Sequence, residues 1–127
     1  MGQQQLLLIV LGVIIVGIAI VVGINLFNAS AVSSNRDAVI SDLNNLGAMA
    51  QQFYQKPLSM GGGNNTFTGW TIPTGLSTTA NGTYSITVLA QSVSIVGTGT
   101  QKGNNGTSNV QATATVGPTG ISVAVNN

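Results

Sequence analysis

From Leu6 to Ile24 the chain reads LLLIVLGVIIVGIAIVVGI, apolar or Gly at every position, and past Asn25 the run continues through Leu26 and Phe27. A bilayer core takes roughly 20 apolar residues of helix, so this stretch is long enough to span one. A helix apolar on every side belongs in lipid or inside protein. No Lys or Arg precedes the run, and no small-residue cleavage pattern follows it. A secretory signal peptide, with a basic start and a shorter apolar stretch, does not fit. The positive-inside rule has no charge to read there. Gly12, Gly17 and Gly23 interrupt the run. Two readings of them stand: Gly is common in membrane helices, or small residues here let many copies pack closely or let the helix stretch or unwind locally.

Beyond Phe27 the pattern turns amphipathic. Val39, Leu43, Leu46, Ala50 and Phe53 recur at spacings of four and three, one stripe of a helix, with Ser, Asp, Asn and Gln between them. Pro57 closes the helix, because the residue before Pro disfavours the α region. The expectation is one helix from near Gln3 to Lys56, roughly 80 Å long at about 1.5 Å per residue. Its stripe needs a cover, and the C-terminal half is the candidate.

After the loop LSMGGGNN the period changes to two. The alternation predicts a short strand over Thr66–Ile72. A second spans Thr83–Ala90, with Tyr84, Ile86, Val88 and Ala90 on one face. Val93 and Ile95 shift the phase by one, which places a bulge or turn at Gln91–Ser92. Residues 97–108, GTGTQKGNNGTS, read as a loop. Val110, Ala112, Ala114 and Val116 mark the next strand, GPTG a turn, and Ile121, Val123 and Val125 the last strand. The fold class is α+β: one long N-terminal helix on a small antiparallel sheet with one apolar face. The organisation is a hydrophobic helix half (1–27), an amphipathic half (28–57) and a β domain (58–127).

Charge adds a second constraint. The 127 residues hold three Lys or Arg and two Asp or Glu, 4% charged, against about 25% in ordinary soluble domains. Gly, Ser, Thr, Asn and Gln make up the difference. Such a surface does not repel its own copies, and nucleic acid is not an expected partner. Cys and His are absent, which removes disulfides and Cys/His metal sites. With so few catalytic groups, an enzyme is not expected, nor a cofactor.

Taken together, a short polar N-terminus, an apolar half-helix, an amphipathic half-helix and a C-terminal antiparallel sheet resemble the type IV pilins and related proteins processed by a prepilin peptidase. The likeness is architectural over the whole chain and close over Met1 to about Phe27. It implies cleavage of a short basic leader and methylation of the new first residue, so Met1 looks like a mature N-terminus. It implies polymerisation into an extracellular filament, with other copies of the chain, the membrane and the pilus assembly machinery as partners. Adhesion, twitching motility, DNA uptake and scaffolding are all served by such filaments, and the sequence does not choose among them.

One position departs from the pattern. Bacterial members usually carry Glu at the fifth mature position, where it pairs with a neighbour's N-terminal amine; here that position is Gln5. Gln accepts a hydrogen bond from an ammonium without bringing charge, and at lower desolvation cost. The expectation is that Gln3, Gln4, Gln5 and the Met1 amine bond to adjacent subunits; the alternative places the glutamines at headgroup level. Leu6, Leu7, Gly12, Gly17, Gly23 and Phe27 are the expected packing positions. A pseudopilin or minor pilin, and a single-pass membrane protein with a β adhesion domain, remain alternative readings.

Four sequons occur, at Asn28, Asn64, Asn81 and Asn105. Asn64, Asn81 and Asn105 fall in loops and are expected to be the accessible acceptors; Asn28 lies on the helix. Arg36, Asp37 and Asp42 read as solvated charges, or as pairs between subunits that set register. Trp70, Tyr84 and Phe53 read as core of the β domain, and Phe27 and Tyr54 as contacts to neighbours.

Overall fold

A computed structural model describes residues 2–127. Helix α1 covers Gly2–Gln55, and the strands are β1 (Thr78–Thr79), β2 (Gly82–Val88), β3 (Val93–Lys102), β4 (Asn109–Val116) and β5 (Ile121–Val125). The chain is an α+β protein in which α1 packs on a five-stranded antiparallel sheet of order β1-β2-β3-β4-β5. It divides into two compact units, one ending at Ala31 and the other formed by Val32–Asn127. The backbone of α1 runs through both.

The first unit is helix alone. Every described side chain through Ser30 is exposed, and the large apolar ones range from Val22 at 50% to Phe27 at 75%. One helix of this composition is long and apolar enough to cross a membrane.

In the second unit the stripe closes as its spacing dictates. Val39, Leu43, Leu46 and Ala50 are buried, with Gly47 beside them, and Phe53 is half-buried against the same core. Pro57 ends α1, and the loop after it folds back over the helix terminus. The N–H groups of Gly63, Asn64 and Asn65 donate to the carbonyls of Phe53, Lys56 and Tyr54 at 2.7, 2.9 and 2.8 Å. Those carbonyls have no partner within the helix, so the loop is its cap. Asn64 and Asn65 take left-handed φ values of 53° and 66° to make the turn, a conformation Asn tolerates better than most residues.

Strand register lines up three apolar rows under the helix. They are Tyr84–Gly97–Ala112–Val125, Ile86–Ile95–Ala114–Val123 and Val88–Val93–Val116–Ile121. The small residues lie in the two middle strands, where a helix seated on a sheet comes nearest. The turn at 89–92 joins β2 to β3, with the Leu89 N–H on the Ser92 carbonyl at 2.8 Å. Residues 117–120 turn the chain into β5, with Gly117 bonded to Gly120 at 2.8 Å.

Several expectations are corrected. No strand forms over Thr66–Ile72. Gly69 takes a φ of +93°, the Trp70 N–H turns back onto the Phe67 carbonyl at 3.0 Å, and the segment instead drops Phe67 and Trp70 into the core. Ala90 is exposed and lies beyond β2, so that apolar face ends at Val88. Residues 97–102 belong to β3 rather than to a loop. Gly97 and Gly99 hold the inward positions that continue from Val93 and Ile95, and both are buried. A Cβ on Gly97 would meet Tyr84 and Val39 at 2.8 Å, and one on Gly99 would run into Asn35. These glycines are small because the helix lies against them. The two-residue strand β1 was not foreseen by the alternation.

Candidate functional site

Two regions hold the expected functional residues. The first is the apolar part of α1. Gln3, Gln4 and Gln5 lie exposed in its first turns, followed by Leu6 at 61% and Leu7 at 68%. Met1 lies outside the described residues. A Cβ built on Gly12, Gly17 or Gly23 meets no atom within 4 Å. Nothing among the described residues therefore requires Gly there, although each lowers helix propensity by about 1 kcal/mol relative to Ala. Phe27 stays exposed, whereas Tyr54 turns inward. The Tyr54 ring stacks at 4.7 Å on Phe67, and its hydroxyl donates to Gln91 Oε1 at 3.1 Å.

The second region is a polar seam between the amphipathic half of α1 and the sheet. Asp42 faces β1 and β2 and is half-buried. Its Oδ2 accepts from Tyr84 Oη at 2.5 Å, Asn81 Nδ2 at 3.1 Å and Thr79 Oγ1 at 3.3 Å. The expectation of a solvated charge is thus corrected for Asp42: it ties the β1–β2 hairpin to the helix. Burial, and then the carboxylate beside it, push the Tyr84 phenol above its ordinary pKa of 10.0. About two turns earlier on α1, Asn35 does related work. Its Oδ1 accepts from the N–H groups of Thr100 and Gln101 at 3.0 and 3.3 Å, and its Nδ2 donates to the Asn81 carbonyl at 2.9 Å. Arg36 Nη2 donates to Asn104 Oδ1 at 2.9 Å, while its Nε is buried without a partner among the described residues. Asp37 is exposed.

The sequence reading passed over Asn35, Gly97, Gly99 and Asn127. For the glycines a signal was present, since GTGT keeps the phase of Val93 and Ile95. Asn35 and Asn127 are single amides in a chain rich in amides, and no local pattern sets them apart. Asn127 holds the β3–β4 loop. Its Nδ2 donates to the Ser108 and Asn109 carbonyls, both at 3.0 Å, and its Oδ1 accepts from the Asn105 N–H at 3.2 Å.

The sequons differ in availability. Asn28 is exposed but helical, and Asn64 is exposed in the capping loop. Asn81 is half-buried with its amide nitrogen committed to Asp42, so it is less accessible than its loop position suggests. Asn105 is exposed at the tip between β3 and β4. No group of three metal-ligating side chains occurs among the described residues. No protein-family model, curated protein or solved structure matches the chain.

Proposed function

We propose that this chain is a major pilin: a structural, non-enzymatic subunit that polymerises through its N-terminal helix into a type IV pilus-like filament outside the cell. The observation that carries this reading is the exposure of every side chain from Leu6 to Phe27 on a helix whose later turns belong to a well-packed domain. Burying a single Leu, Ile or Val side chain is worth roughly 1.5–3 kcal/mol, so so long a run demands an apolar surrounding. The cytoplasmic membrane supplies one before assembly. In a filament the same helices of other copies supply another. Transfer between two apolar settings has little net driving force, so an assembly machine has to drive extraction; by resemblance it contains an ATPase and a membrane platform protein. The β domain, with few charges to repel its neighbours, coats the outside.

Electron microscopy of material sheared from the cell surface tests this, with mass spectrometry of the N-terminus from the same fraction. Thin filaments containing a chain that starts at methylated Met1 are expected. A chain found only in membranes, with no filaments, sinks the reading. That outcome would favour a pseudopilin or a single-pass membrane protein with a small β domain, which the membrane-length helix alone also fits.

A further inference from the structure

We propose that Asn105 carries an N-linked glycan whose first sugars lie in the groove of amide and hydroxyl side chains beside it. An acceptor sequon must offer a free amide nitrogen and a free hydroxyl two residues later. Asn81 fails the first condition, because Nδ2 donates to Asp42. Asn64 fails the second: the Thr66 hydroxyl is engaged with the Ala90 carbonyl and with Thr68. Asn28 fails on backbone, since it and Ser30 lie inside α1. At Asn105 the nitrogen has no protein partner among the described residues, and both Asn105 and Thr107 are exposed. The Thr107 hydroxyl has only a long 3.4 Å contact to the Asn105 carbonyl.

The loop is also held in place. Asn105 Oδ1 accepts from the N–H groups of Thr107 and Ser108, both at 2.9 Å. Arg36 grips Asn104 from one side and Asn127 grips the loop from the other. A groove of about 490 Å³ starts at Asn105 and runs past Thr98, Gln111 and Asn126. The side chains that line it carry amides and hydroxyls. Groups of that kind both donate and accept, which matches the hydroxyls of a neutral sugar.

In the transfer, Asn105 Nδ2 bonds to the anomeric carbon of an oligosaccharide carried on a polyprenyl pyrophosphate. The bond from that carbon to the pyrophosphate oxygen breaks, the lipid pyrophosphate leaves, and one amide proton passes to a base of the transferase. The inference rests on the proposed reading only in placing the β domain outside the cytoplasm. Absence of filaments would leave it standing, and absence of transfer would leave the filament reading standing.

The test treats the full chain in detergent micelles with a purified oligosaccharyltransferase and a polyprenyl-pyrophosphate oligosaccharide. A free peptide containing Asn-Gly-Thr serves as the positive control. The expected result is a mass increase of one glycan, mapped to Asn105, lost in Thr107→Ala and retained in Asn81→Gln. Thr107→Ala keeps the backbone N–H that holds Asn105 Oδ1. No transfer while the control peptide is modified, or a glycan on Asn64 or Asn81 with Asn105 bare, overturns the assignment. Side-chain amide resonances of Gln111 and Asn126 are expected to shift on glycosylation; unshifted resonances overturn the groove as the sugar seat.

Discussion

One helix serves two regions of this molecule under opposite rules. From Leu6 to Phe27, α1 is apolar around its circumference save for Asn25, and its side chains are exposed; from Val32 onward it is apolar on one stripe, and the sheet covers that stripe. The glycines show the same contrast. Gly97 and Gly99 lie where an added Cβ would collide with Tyr84, Val39 or Asn35, whereas Gly12, Gly17 and Gly23 face open space. The second region satisfies its sequence internally. The first leaves its apolar side chains exposed, on a helix long and apolar enough to cross a membrane.

Substitutions can break this contrast, and the largest effect is expected from a charge in the first region. Ile14→Lys places an ammonium in the middle of the apolar run, at a cost of about 2.5–3.5 kcal/mol in a bilayer centre. Filaments in the sheared fraction should be lost, while the thermal unfolding of the β domain stays as in the parent. Next comes a cavity in the second region. Leu43 is fully buried, so Leu43→Ala should destabilise the domain by about 2–5 kcal/mol in denaturant titration; Ile14→Ala should leave that titration unchanged.

The glycines give a smaller and more discriminating pair. Gly97→Val forces side-chain atoms into Tyr84 and Val39, and overpacking of this kind costs about 1–3 kcal/mol. Gly12→Ala should cost the domain nothing and should slightly raise helicity in micelles. Loss of filaments in Gly12→Ala, with domain stability intact, would locate the need for Gly12 in contacts between copies.

The seam between α1 and the sheet supplies the smallest effect. Tyr84→Phe removes one of three donors to Asp42 and should cost about 1 kcal/mol. The raised Tyr84 pKa also predicts a pH dependence. The unfolded phenol loses its proton near 10.0, while the folded one holds it to higher pH. The unfolded state therefore binds fewer protons in that range, and stability falls as pH rises above the unfolded value. Below it the contribution is fully present. Tyr84→Phe should flatten this alkaline slope in denaturant titrations run at successive pH values.

How much of this was legible in the sequence follows from how local each signal is. The stripe Val39–Leu43–Leu46–Ala50, the stop at Pro57 and the alternation in β2, β4 and β5 depend on spacing within one element, and they form as that spacing predicts, except that the apolar face of β2 ends at Val88 and leaves Ala90 exposed. Thr66–Ile72 failed because β-type residues were weighed without Gly69, whose left-handed turn lets Phe67 and Trp70 plug the core. Gly97 and Gly99 resemble loop residues because Gly usually marks turns; their reason, the nearness of Asn35 and Val39, is tertiary. Asp42 looked like a surface charge since its donors come from residues roughly forty positions away in sequence. The apolar run was legible by composition alone; its side chains pack on nothing that spacing within the run could point to.

The measurement that bears most directly on what surrounds this run uses a cysteine introduced at Phe27. The chain has no cysteine of its own, and Phe27 is 75% exposed near the end of the apolar run. After mild oxidation of material sheared from the cell surface, Phe27→Cys should run under non-reducing conditions as linked copies that collapse to monomer on reduction. A Phe27→Cys chain that stays monomeric after oxidation and is recovered only from the membrane would contradict the claim that other copies of the chain surround this helix.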